Sequence, residues 1–120
     1  MDKYFLALLG EAGATGLAKG FSFRYKVFLH AYEEEKSHWN YFKNFRRSVL
    51  ESPVFYTFLI IGILSSILGQ SAVKFINRKA EEGAIDFYKK NFESNSVEIM
   101  QILEQEFGHL SLSYGDLRDQ

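Results

Sequence analysis

The chain has no cysteine, a single proline among 120 residues, and no charged side chain at any of the 22 consecutive positions from Ser52 to Val73. Without cysteine there can be no disulfide, no thiolate nucleophile and no Cys-ligated zinc or iron–sulfur site. A basic excess is also missing: 14 Lys and Arg face 15 Asp and Glu, and the net charge is −1. The electrostatic footprint that a nucleic acid requires is therefore absent. No Gly-rich phosphate loop and no Gly-x-Ser-x-Gly elbow occurs, so the common phosphoryl-transfer and hydrolase signatures are excluded.

The uncharged window, SPVFYTFLIIGILSSILGQSAV, reads as one membrane-spanning helix. At about 1.5 Å per residue it covers roughly 33 Å, against roughly 30 Å of bilayer hydrocarbon. Eleven of its residues are Val, Ile, Leu or Phe, which together favour insertion by roughly 3 to 7 kcal/mol before Gln70 and the serines subtract their share. Pro53 suits the first turn of such a helix, where its missing N–H costs nothing. Around the helix Gly62, Ser65, Ser66, Gly69 and Ala72 fall on one side and the Ile and Leu residues on the other. The small side predicts a docking groove for a neighbouring helix, because close packing drives association in lipid. The apolar period continues through Phe75, Ile76, Ala80, Phe87 and Tyr88, predicting that the spanning helix of about 53–73 runs on to about residue 91.

The flanks divide the chain into a Gly-rich segment (1–20), an aromatic-rich helical arm (21–51), the span (52–73) and helices with an acidic tail (74–120). In the first segment Gly10, Gly13, Gly16 and Gly20 recur every three to four residues, each costing roughly 1 kcal/mol of helix propensity. Such a segment makes sense if a neighbour's backbone presses on the stripe Ala12, Gly16, Gly20. In the arm, Trp39 and the pair Arg46, Arg47 have the order of a membrane interface, and Lys74 and Arg78 form a collar beyond the span. These five are the predicted contacts to an anionic phospholipid. Asn95 or Ser96 can cap a last helix carrying Val97, Met100, Leu103 and Phe107 and ending at Gly108. The tail from His109 shows no clear period and in isolation is expected to be mobile. Residues 93–120 hold one basic and six acidic side chains.

For metal chemistry the sequence offers one candidate, His30, Glu34 and His38 on a single helix face. Outer ligands about 12 Å apart and the lack of a second carboxylate–histidine set argue against a site. The run Glu33, Glu34, Glu35 reads as a solvated face. The expectation is thus an all-α, single-pass protein with no catalytic, cofactor or metal residues and no small-molecule substrate.

One central span, an Arg-Arg flank and mostly helical arms give a layout that resembles the accessory subunits of mitochondrial respiratory-chain complexes and ATP synthase. That resemblance implies a non-catalytic assembly subunit of an inner-membrane complex, holding other membrane subunits and cardiolipin in place. A bacterial or phage single-span protein of toxin, immunity or holin type shares the span. A soluble helical binding module that buries Val54 to Val73 in its own core is the reading from a different class.

Overall fold

In the computed structural model, which describes residues 2–93 and 96–119, the chain is all helical. Five α-helices follow one another: α1 (Lys3–Ser22), α2 (Phe28–Phe42), α3 (Glu51–Leu68), α4 (Gln70–Asn91) and α5 (Val97–Ser111), with short 3-10 turns at Leu112–Tyr114 and Leu117–Asp119. Local chemistry sets several of their ends. Asp2 caps α1 by accepting from the Tyr4 amide, and Ser96 caps α5 by accepting from the Ile99 amide, so each satisfies an amide that has no helical partner. Ser96 is thus one of the two caps expected from sequence, while Asn95 lies outside the described residues.

Two apolar clusters fix the directions of the helices. One gathers Leu17 and Phe21 of α1, Phe28 of α2, Val73 of α4 and Leu117. The other gathers Leu8, Phe42, Tyr88, Ile99 and Ile102. Helices α1 and α5 therefore run from the second cluster to the first, and α2 and α4 run back. Together they form a four-helix bundle. Because α2 and α4 run in the same direction, the chain must return along the bundle between them, and α3 is that crossover.

Helix α3 returns pressed against α1, backbone to backbone. A Cβ on Gly16 would lie 2.2 Å from the Phe55 carbonyl oxygen, and one on Gly20 would lie 2.7 Å from the Gly62 Cα. No side chain larger than hydrogen fits there, which is why a glycine-rich stretch forms a stable helix despite its poor propensity. The neighbour expected for the stripe Ala12, Gly16, Gly20 is the chain's own α3.

Three expectations are corrected. The helix does not run unbroken to residue 91: Gly69 adopts φ 119°, a conformation that glycine tolerates and other residues rarely do, and it separates α3 from α4. Helix α5 continues past Gly108 to Ser111. Its buried stripe is Ile99, Ile102, Glu106 and His109, whereas Val97, Met100 and Phe107 are exposed. The tail is not a featureless extension, since Leu117 is buried and Ser113 Oγ accepts from Asn77 Nδ2 at 2.8 Å.

Candidate metal centre

Between the two apolar clusters lies a layer of acids and imidazoles. Each bundle helix presents a core stripe at three- and four-residue spacing, and each stripe is interrupted by a carboxylate: Glu11 on α1, Glu35 on α2, Glu81 on α4 and Glu106 on α5. On α2 and α5 the position three residues later is histidine, His38 and His109, one turn along the same face. All six side chains are buried, with Glu106 fully enclosed and Glu81 the most accessible at 6 %.

The six form two overlapping groups. Glu11, Glu35, His38 and Glu106 bring one oxygen or nitrogen each to within 4.8 Å of one another, and so do Glu35, Glu81, Glu106 and His109. Glu35 and Glu106 belong to both. His38 Nδ1 is 2.9 Å from Glu35 Oε1, 3.5 Å from Glu11 Oε1 and 3.6 Å from Glu106 Oε1. His109 Nδ1 is 3.2 Å from Glu106 Oε1, 3.7 Å from Glu35 Oε1 and 3.8 Å from Glu81 Oε1.

Outside this layer a second set of groups holds the imidazoles. His38 Nε2 donates to Gln105 Oε1 at 2.5 Å, and His109 Nε2 donates to Glu34 Oε1 at 2.8 Å. Both acceptors are oxygens, so each ring keeps its Nε2 proton and turns Nδ1 inward, the arrangement that orients a ligating histidine. Tyr88 O–H donates to Glu11 Oε2, leaving Glu11 Oε1 to face the centre.

The electrostatics of the layer are unfavourable as they stand. Burial, reinforced by the charge of Glu106, pushes Glu11, Glu35 and Glu81 upward, the last two well above the ordinary carboxylate range. Burial opposes the charging of His38, yet the nearby carboxylates of Glu11 and Glu106 prevail and raise it to about 9. Glu106 is also penalised by burial, but the close approach of His109 and Glu35 and the charges of both histidines bring it below its usual value. Glu11 Oε1, both oxygens of Glu35 and Glu106, Glu81 Oε2 and the Nδ1 atoms of His38 and His109 have no hydrogen-bond partner. These are the only buried side-chain polar atoms without one among the described residues. Buried polar groups are nearly always satisfied, and isolated buried charges cost several kcal/mol each. Two divalent cations would balance four carboxylates and accept the inward lone pairs of both histidines. The residues fit a dinuclear metal centre, and Glu35 and Glu106, common to both groups, would help to hold either ion.

The sequence reading missed this set. A second carboxylate–histidine pair does exist, Glu106 and His109, and the partner of His38 is Glu35 rather than Glu34. Of the three residues singled out, His38 lies in the layer, Glu34 supports His109 from outside it, and His30 is exposed, with Nε2 3.3 Å from Glu34. The missed signal was Glu-x-x-His twice, on two different helices.

The remaining predicted residues lie elsewhere. Trp39 donates to Glu51 Oε1 at 2.8 Å and stacks on Phe55. Arg47 Nε is 3.0 Å from Glu51 Oε2, and Arg46 Nη1 is 3.0 Å from Asp2 Oδ2. Lys74 donates to the Gly115 carbonyl at 3.1 Å, and the Arg78 guanidinium lies 5.6 Å from the Phe75 ring centre. The arginines sit at the start of α3 and the Lys74–Arg78 pair beyond its end, so they are not brought together. Of the small-residue face, Gly62 and Ser66 meet α1, with Ser66 Oγ donating to the Gly20 carbonyl at 3.2 Å. Ser65 donates within its own helix to the Ile61 carbonyl. Gly69 makes the turn, and Ala72 lies half-buried in the first turn of α4.

Comparison with known protein families, curated proteins and solved structures finds no match to this chain.

Proposed function

We propose that this protein is a dinuclear metalloprotein of the oxidoreductase class, binding two iron or manganese ions in the core of its four-helix bundle. The observation that carries the proposal is the convergence of two Glu-x-x-His pairs and two further glutamates on a layer of buried, unpartnered ligand atoms. One glutamate from each of two helices plus Glu-x-x-His from each of the other two is the ligand pattern of carboxylate-bridged di-iron and di-manganese bundles. Oxygen-rich, imidazole-containing, thiolate-free donors favour such ions over soft metals.

In this reading Glu35 and Glu106, which belong to both groups, would help to hold both ions, with Glu11 and His38 serving one and Glu81 and His109 the other. Iron or manganese held there would supply one-electron steps and dioxygen chemistry that no side chain of the protein provides. The protein's own part is to fix the donors on four rigid helices, to orient the imidazoles through Gln105 and Glu34, and to exclude water. Tyr88 holds the outer oxygen of Glu11 and keeps a proton beside the site.

The proposal includes membrane contact through α3. Tyr56, Ile60, Leu64, Ile67 and Leu68 are exposed on it, an apolar strip of the kind that marks an interaction surface. The opposite side of α3 is taken by α1, whose Lys3, Glu11 and Lys19 make it a poor companion in a full crossing. The reading is therefore attachment by one face of α3.

Anaerobic titration with Fe²⁺ or Mn²⁺ tests the proposal. Two equivalents per chain are expected for the wild type, with tight binding lost in Glu35→Ala and Glu106→Ala. Fewer than one equivalent, or unchanged binding in both variants, would overturn it.

A further inference from the structure

A cavity of about 410 Å³ opens between α1 and α4 and ends on the carboxylate layer. Its inner wall includes Glu11, Glu35, Glu81, Glu106 and Tyr88, all buried. The space exists because the facing helix surfaces carry almost no side chains: Gly10, Gly13 and Ala14 on α1, Ala80, Gly83 and Ala84 on α4. A Cβ added at Gly10 or at Gly83 would meet nothing within 4 Å. To either side of the gap the same two helices contribute to the apolar clusters, Leu8 and Tyr88 to one and Phe21 and Val73 to the other.

The entrance faces the apolar side of the molecule. Phe58 of α3 lines the cavity and is partly exposed, as is Leu6 of α1. The lining is apolar down to Tyr88 and the carboxylates. Pockets that are apolar along their length, with a few polar groups at one end, bind small molecules and orient them by that end. A charged or strongly hydrated ligand would lose its water in this channel without compensation.

We propose that the α1–α4 cavity binds an apolar, lipid-soluble small molecule, entering beside α3 from the membrane, and places one end of it against the dinuclear centre. The proposal rests on the metal-centre reading for what lies at the inner end, and on the cavity alone for the class of ligand. An apolar substrate dissolved in lipid reaches the site without crossing water, which gives the exposed strip of α3 and the gap between α1 and α4 one shared purpose.

The test uses the full-length protein in detergent, loaded with Mn²⁺ or with diamagnetic Zn²⁺, and 4-fluorobiphenyl as the probe followed by ¹⁹F relaxation. Binding to the Mn²⁺ form should broaden the ¹⁹F line far more than binding to the Zn²⁺ form. Gly10→Leu and Gly83→Leu should each weaken probe binding about tenfold or more, since small misfits in apolar pockets are worth roughly 10- to 200-fold. Both variants fill open space at exposed helical positions, so the helical circular dichroism and the metal content should match the wild type. Equal affinity in both variants, or equal broadening with Mn²⁺ and Zn²⁺, would overturn the proposal. Failure of either metal to load would count against the metal-centre reading instead, and the two leucine variants would still decide the cavity in the metal-free protein.

Discussion

Glu34 Oε1 lies 2.8 Å from His109 Nε2, on the opposite side of the imidazole from the carboxylate layer. Glu34 comes from α2 and His109 from α5, so the contact ties together the two helices that supply the Glu-x-x-His pairs. Its consequence is measurable. Removing an outer partner of a ligating histidine typically costs about 10- to 100-fold in metal affinity. Glu34→Ala should fall in that range, Glu34→Gln should recover much of the loss because its amide oxygen still accepts, and Glu33→Ala, one position away and exposed, should bind metal as the wild type does. Isothermal titration of the three variants distinguishes a support for His109 from a charge on the surface.

The metal-free protein should lose stability as pH rises from 6.5 to 9. A group whose pKa is higher folded than unfolded contributes stability that is complete below the unfolded value and is lost as pH climbs toward the folded one. His38, raised from 6.5 to about 9, titrates through this window. His109 is raised as well and acts in the same direction, while Glu11, Glu35 and Glu81, raised from 4.5, lose their contribution from pH 4.5 upward. Glu106 is lowered, so its contribution is already complete above 4.5 and does not change in this range. Metal binding should show the opposite trend, because the ion displaces these protons and its affinity rises with pH. Melting curves of metal-free and loaded protein at pH 6.5 and 9 should therefore diverge, and parallel curves would contradict this.

The α1–α3 contact gives a stability prediction that is independent of metal. Gly16→Leu and Gly62→Leu place a side chain against backbone that cannot yield, so each should cost about 1–3 kcal/mol or more. At Gly69 the strain is conformational, because φ 119° suits no other residue well, and Gly69→Ala should cost about 1–3 kcal/mol even though nothing lies within 4 Å of its Cβ. By contrast Gly10→Ala, helical and unobstructed, should stabilise by roughly 0.5–1 kcal/mol. Chemical denaturation of the four variants checks the order.

These residues also show what the sequence revealed and what it hid. The apolar run of α3, the small-residue stripe of α1 and the Ser96 cap were all legible, because each follows from local chemistry. The ligand layer was not, because periodicity counts apolar residues and a buried carboxylate breaks the count. Glu35 stands third in an acidic run that reads as solvated, and Glu81 stands beside Glu82 in the stretch that reads as a continuation of the spanning helix. In α5 the exposed Val97, Met100 and Phe107 drew attention away from Ile99, Ile102, Glu106 and His109. The small-residue stripe of α1 calls for a neighbour without naming it, since nothing in the sequence distinguishes a groove for another subunit from one for the chain's own crossover helix. The break at Gly69 depends on a single positive φ, which the uninterrupted apolar pattern on either side masks.

The most direct measurement of the central claim is anomalous X-ray diffraction from crystals grown with Mn²⁺ or Fe²⁺, recorded on both sides of the metal absorption edge. Two peaks about 3.5–4 Å apart, lying between Glu35 and Glu106 with His38 beside one and His109 beside the other, are expected. Peaks confined to surface carboxylates, or no anomalous density among Glu11, Glu35, Glu81 and Glu106 at saturating metal, would contradict the dinuclear assignment.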